Sequence, residues 1–164
     1  MTDYKLTTLC YLMKGGDVLF MVKGATEKNI TNMNVGKYLG VGGHLEATES
    51  PWECAIREIY EETGISQSQI KDMKLKGVVT FINDVCDDEI MYVYTGEYIG
   101  NKDPCPGKCD EGILKWVSLN DINSIPVWEG DREMFKLLFA PGNDRVFELK
   151  LIYQGDELIK VISF

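Results

Sequence analysis

Two apolar runs open the chain. Residues 4–13 and 17–23 are rich in Leu, Val, Tyr and Phe and flank Lys14, Gly15, Gly16 and Asp17, a pattern that predicts a strand, a turn and a second strand. The segment GATEKNITNMNVGK that follows is polar, holds two Gly and three Asn, and reads as a loop long enough to serve a function. KYLGVGGHLE then joins a short apolar run to Gly40, Gly42 and Gly43. Beyond it the spacing changes to helical periodicity over 51–63. KLKGVVTFI, EIMYVYTGEYI and ILKWV read as three further strands, the first two on either side of NDVCDD. The turn-rich SLNDINSIPVWEG leads into a predicted helix, DREMFKLLFA, which stops before Pro141 and Gly142. The last twenty residues predict a hairpin turning at Gln154, Gly155 and Asp156. No internal repeat or low-complexity linker interrupts the pattern, so a mixed sheet with helices packed on it is expected.

The best-marked element is the helix at 51–63. Ser50 suits the N-cap, Pro51 the first helical position, and Glu53 completes a capping box, while Gly64 suits the left-handed residue that closes the far end. At 100° per residue, Trp52, Ala55, Ile56, Ile59 and Thr63 gather into a stripe to be buried. Glu58, Glu61 and Glu62 gather on the adjacent arc at spacings i, i+3 and i+4, where like charges repel. A solvated surface face is one reading. Ordinary surface helices intersperse cations, however, and here only Arg57 is near. A divalent cation resolves the conflict, and hard carboxylate oxygens select Mg²⁺ or Mn²⁺, ions that contact substrate phosphates and activate water.

Composition narrows the classes. At 164 residues and 45% hydrophobic, the chain suits one compact domain with a core that needs no disulfide. The net charge of −9 argues against a nucleic-acid polymer or an anionic membrane as partner. No apolar stretch approaches the roughly 20 residues that cross a bilayer, and the first dozen residues do not resemble a leader. A soluble cytoplasmic protein is expected. The five cysteines are odd in number and mostly scattered, which suits reduced thiols. Cys105 and Cys109 in CPGKC read as a turn with two free thiols, since the sole His44 leaves too few soft ligands for zinc.

From Gly43 to Ile65 the order is Gly43, five residues, Glu49, seven residues, Arg57, Glu58, Ile59, one residue, Glu61, Glu62, one residue, Gly64, Ile65. This resembles the Nudix box of the Nudix hydrolases at all nine defining positions, over 23 residues. The resemblance implies an α/β/α sandwich around a mixed sheet and hydrolysis of a nucleoside diphosphate linked to another group. It implies Glu58, Glu61 and Glu62 as ligands of Mg²⁺, with Mn²⁺ a possible substitute, and one of Glu61 and Glu62 as the acceptor of a proton from the attacking water. Arg57 would orient the glutamates, and Glu49 would support them or bind through water. Gly42 and Gly43 would let the backbone approach the ion, with the Gly42 carbonyl as a ligand. Relatives often recruit one more carboxylate; Glu89 is the candidate, with Asp87, Asp88 and Glu111 as rivals.

The order of segments over most of the chain is similar to the MutT-type 8-oxo-dGTP diphosphatases, which cleanse the nucleotide pool and so support DNA repair. That likeness implies a purine nucleoside triphosphate substrate and a base held by Trp128, Glu129 and Asp131, although Trp128 equally suits packing of the second helix onto the sheet. Leu39 stands where animal relatives have a base-binding Asn, and Asn32 or Asn34 are possible substitutes. Lys23, Gly43 and His44 would contact the phosphates. ADP-ribose hydrolases usually carry a Pro shortly after the box and diadenosine polyphosphate hydrolases a Tyr; residues 78–84 hold neither. RNA 5′-pyrophosphate removal and a non-catalytic nucleotide-binding regulator are the remaining readings, and the expected state is monomer or homodimer.

Overall fold

The computed structural model describes residues 3–24, 32–104 and 112–164. Its elements in chain order are β1 (Lys5–Lys14), β2 (Asp17–Lys23), β3 (Tyr38–Leu39), α1 (Pro51–Thr63), β4 (Ile70–Asn83), β5 (Glu89–Tyr98), β6 (Gly112–Ser118), α2 (Glu129–Leu138), β7 (Phe147–Gln154) and β8 (Glu157–Ser163). Cys105, Cys109 and Glu111 lie outside the described residues, as does the middle of the loop before β3. The two terminal hairpins fall where the apolar runs place them. β4 starts four residues earlier than its apolar run, because irregular register between Lys71 and Lys74 and between Leu75 and Gly77 breaks the alternation that marks a strand. At Gly77 the Phe147 ring lies where a Cβ would stand, only 2.1 Å from it.

The strand order is β3-β2-β1-β5-β4-β7-β8, with β6 pairing β2. β1 runs parallel to β5 and β4 parallel to β7, whereas β4 with β5 and β7 with β8 are antiparallel, so the sheet is mixed as expected. β1 and β2 pair only beside their turn, through Met13 with Val18 and Lys14 with Asp17. Past that point they part. β2 continues against β6 and β3, while β1 takes up the glycine-rich strip, Thr7 bridging His44 and Cys10 bridging Val41. The splayed strands are what seat this strip in the sheet.

The period-2 alternation of β1 divides the interior into two cores. Cys10 and Leu12 pack with Ala55 and Ile59 of α1, whereas Tyr11 points to the opposite face and meets Phe20 and Phe135 of α2 edge-on, with centroids 5.7 and 5.6 Å away. One helix layer therefore covers each face, giving the α/β/α sandwich. Each large apolar side chain buried this way stabilises the fold by about 1.5–3 kcal/mol.

Helix α1 has the predicted limits. Glu53 N–H donates to Ser50 Oγ at 3.2 Å, Ser50 N–H donates back to Glu53 Oε2 at 2.8 Å, and Gly64 closes the helix at φ 73°. Its buried stripe differs from the expected one. Trp52 remains 37% exposed, edge-on to Tyr94, while Cys54 and Glu62 are buried. The reason is a polar contact that periodicity does not register: Glu62 turns inward to a backbone N–H of the glycine-rich strip. α2 begins and ends two residues before its predicted limits, since Trp128 in extended conformation is its N-cap.

Candidate active site

Arg57 is the hub of the carboxylate cluster. Its Nε and Nη2 donate to the two oxygens of Glu49 at 2.7 and 2.9 Å, Nη1 donates to Glu58 at 2.7 Å and Glu61 at 3.2 Å, and Nη2 also reaches the His44 carbonyl at 3.1 Å. The guanidinium thus offsets much of the repulsion along α1 that the sequence left to a cation. Held by this fork, the Glu49 carboxyl drops to about 2, and the arginine is pushed above its ordinary value chiefly by Glu49.

The glycine-rich strip faces the same cluster. Gly42 N–H donates to Glu62 Oε2 at 3.0 Å, which makes a 5%-exposed carboxylate tolerable. A Cβ on Gly42 would lie 2.0 Å from the Thr8 carbonyl oxygen, and one on Gly43 would lie 2.5 Å from Glu58 Oε1, so both positions need the missing side chain for close approach. The Gly43 carbonyl is spent on β1, accepting from Thr8 N–H at 2.9 Å, with the Cys54 thiol 3.6 Å away. Thr8 and Cys54 carry no sequence signal for this role, because it comes from pairing between distant segments.

A cleft of two connected lobes opens here. The first, about 670 Å³, is lined by Gly42, Gly43, His44, Arg57, Glu58, Glu62, Glu89 and Lys23. Glu89, at the start of β5, accepts from Thr7 Oγ1 at 3.0 Å, and burial pushes its carboxyl above the ordinary range. Its rival Asp88 instead accepts from Asn83 N–H at 3.1 Å and caps the turn, while Asp87 lines the second lobe. Glu61 is not part of the lining; its side chain is 56% exposed at the rim. Among the described residues, no three His, Cys, Asp or Glu side chains converge at metal-binding spacing; Glu58 and Glu61 are bridged by Arg57, and Glu62 is bound to the Gly42 N–H.

The second lobe, about 510 Å³, is lined by Leu39, Phe81, Trp128, Asp131 and Tyr153, and shares Asn32, Asn34, His44 and Glu89 with the first. Trp128 both packs and lines: its ring meets Tyr153 at 5.2 Å and Phe81 at 6.1 Å edge-on, and Lys37 Nζ sits 4.6 Å from its centroid. Asp131 is buried in the first turn of α2, where burial pushes its carboxyl up to about 7. Glu129 does not join them: it is exposed, outside the lining of either lobe, because the first turn of α2 aims it away from Asp131.

A mixed sheet between two helices, with a glycine-rich strip docked against an arginine-bridged glutamate helix, defines a Nudix domain. The NUDIX domain model matches residues 3–138, and the chain belongs to the Nudix family of hydrolases, which act on phosphoric anhydride bonds and generally use divalent metal ions. It is 32% identical over 136 residues to the uncharacterized Nudix hydrolase YvcI of Bacillus subtilis, covering 80% of this chain and 77% of that one. It is 26% identical over 157 residues to the oxidized purine nucleoside triphosphate hydrolase of Danio rerio, covering 90% and 94%. The MutT protein of Bacillus halodurans has a similar structure, with a TM-score of 0.79, 25% identity and 97% of each chain covered. No helix among the described residues is long and apolar enough to cross a membrane.

Proposed function

We propose that the protein is a Mg²⁺-dependent pyrophosphohydrolase of purine nucleoside triphosphates, 8-oxo-dGTP among them, yielding the monophosphate and pyrophosphate. The observation that carries this reading is the two-lobed cleft, with carboxylates at one end and an aromatic wall with a buried Asp131 at the other. A nucleotide has the same two ends. The similarity to the Danio rerio hydrolase of oxidized purine nucleoside triphosphates agrees with it.

The residues fit a hard divalent cation. Glu58, Glu62 and Glu89 offer carboxylate oxygens to one lobe, and Gly43 leaves a cradle that a single Cβ would fill. Glu58 and Glu62, with Glu61 from the rim, Glu89 and the Gly42 carbonyl, would hold Mg²⁺, for which Mn²⁺ would substitute. When bound, such an ion draws charge from phosphoryl oxygens and makes water a better nucleophile. Glu61 or Glu62 takes the proton of the attacking water, and Arg57 keeps the carboxylates in place. Lys23, Gly43 and His44 meet the phosphates, while Leu39, Trp128 and Asp131 hold the base. The whole chain acts as one Nudix unit in the cytoplasm, as monomer or homodimer, with no nucleic-acid polymer or membrane as partner.

The test is pyrophosphate release from 8-oxo-dGTP, dGTP, ATP, ADP-ribose and diadenosine polyphosphates, with and without Mg²⁺. Release should require the metal and favour a purine triphosphate, and Glu61→Gln and Glu62→Gln should lower turnover by about 10²–10⁴-fold in folded protein. Unchanged turnover in both variants overturns the proposal.

A further inference from the structure

The strands β4, β7 and β8 have two unlike faces. On one, Val79, Leu149 and Leu151 are buried in the same core as Met134 and Phe135 of α2. On the other, the register sets Val78 beside Tyr92 and Glu148, and Thr80 beside Ile90 and Lys150. Ile82 stands beside Ile152 there, and β8 adds Ile162 opposite Lys150 and Lys160 opposite Ile152. Val78, Ile82, Ile90, Ile152 and Ile162 are all partly exposed, and neither core takes them in. α1 lies on this side of the sheet, but it packs over β1 through Cys10 and Leu12. Two residues at the margin are more open still: Val146 is 56% exposed and Phe164 76%.

Strands about 4.8 Å apart that rise about 3.3 Å per residue make this bed roughly 400 Å² over four strands and six residues. A contiguous apolar patch of that extent marks an interaction surface. Its charges select the occupant. Glu148 and Lys150 leave the face from successive rows of β7, and neither has an ion-pair partner among the described residues. A wholly apolar partner would bury both unpaired, which is costly. A second copy supplies the opposite sign in the right place, because a twofold axis crossing β7 between the two residues sets Lys150 of each copy over Glu148 of the other. Phe164 N–H donates to the Glu148 carbonyl at 3.2 Å, so Phe164 lies in the Glu148 row. The same axis therefore lays Ile162 over Phe164 and Ile152 over Val146, and covers both open residues. Lys160, exposed on the edge strand, keeps its water.

We propose that the protein forms a twofold-symmetric homodimer through this bare face of β4, β7 and β8, with Lys150 of each copy paired to Glu148 of the other. The cleft lies on the opposite side of these strands, where Phe81, Leu151 and Tyr153 line it, so both copies keep an open site. The bed is about half of the roughly 800 Å² per partner that a tight complex buries, so a micromolar dimer is expected. This assembly does not depend on the hydrolase reading above.

Sedimentation equilibrium of the full chain from about 1 to about 300 µM should follow the wild type from monomer to dimer. Ile152→Asp puts a charge into the bed, and Lys150→Glu sets like charges across the axis. Each should raise the dissociation constant by about tenfold or more, with the fold retained by circular dichroism. Lys150→Glu joined to Glu148→Lys in one chain exchanges the signs and should restore the wild-type constant. Should Ile152→Asp not fold, the charge exchange decides alone, since it alters two partly or fully exposed positions. A wild type that stays monomeric at about 300 µM overturns the proposal, as does a dimer whose constant the single variants leave within about twofold of wild type. A double exchange that does not restore association also overturns it.

Discussion

Arg57 grips Glu49 with two nitrogens, at 2.7 and 2.9 Å, and the same guanidinium reaches Glu58 and Glu61. Lysine has one ammonium and no fork, so Arg57→Lys cannot hold three carboxylates in register. Activity with Mg²⁺ should fall by about 10–100-fold, as supporting contacts of metal sites typically do, with the fold retained by circular dichroism. Wild-type activity in Arg57→Lys would remove the arginine from the machinery.

The Glu49 contact also sets an acid limit. Its carboxyl is held at about 2 in the fold against an ordinary 4.5, so the stabilisation is complete above about pH 4.5 and is lost as the pH falls toward 2. Glu49→Gln should flatten this part of the acid unfolding curve. The check is thermal unfolding from pH 2 to 6; parallel curves would contradict the linkage.

Adjacent glycines should fail differently. Alanine at Gly42 meets the Thr8 backbone oxygen at 2.0 Å, which cannot step aside without moving β1, so Gly42→Ala should destabilise by about 1–3 kcal/mol in urea unfolding. Alanine at Gly43 meets first the carboxyl end of the Glu58 side chain, and no backbone atom is among its nearest neighbours. Gly43→Ala should leave the unfolding midpoint near wild type yet cut metal-dependent hydrolysis. The reverse ranking would place the strip wrongly.

Asp131 carries a pH dependence of the opposite sign. Its carboxyl is raised from 3.8 to about 7, so the folded protein binds the proton more tightly and loses stability as the pH rises between those values. Asp131→Asn removes the charged form. Its gain in melting temperature over wild type should therefore be larger at pH 8 than at pH 5; an equal difference at both would show that burial does not act on this group.

Ser50→Ala removes one half of the box that starts α1. The expected loss is about 1 kcal/mol, the usual worth of such a cap, measured by denaturant unfolding. Ser50→Asp should restore most of it.

How much could be foreseen follows the distance over which each interaction acts. Ser50, Glu53 and Gly64 bound α1 through contacts within four residues, so its limits could be read directly, as could the hairpin turns. The inward turn of Glu62, the exposure of Trp52 and the bulges of β4 against β5 could not, because each depends on a segment distant in the chain. Glu129 and Asp131 are only two residues apart, yet one is solvated and the other buried, a difference set by where α2 meets the sheet.

The order of residues was enough for the glutamate helix, its caps, the glycine strip and the Nudix family, since spacing along one helix puts those carboxylates on adjoining faces without help from the rest of the chain. The cleft itself came from packing. Parting of β1 from β2 admits Gly42 and Gly43 to the carboxylates, and the hydrogen bond from Trp128 to Asn34 joins two walls of the aromatic lobe. Such contacts join segments that only the closed sheet brings together, so no local pattern encodes them.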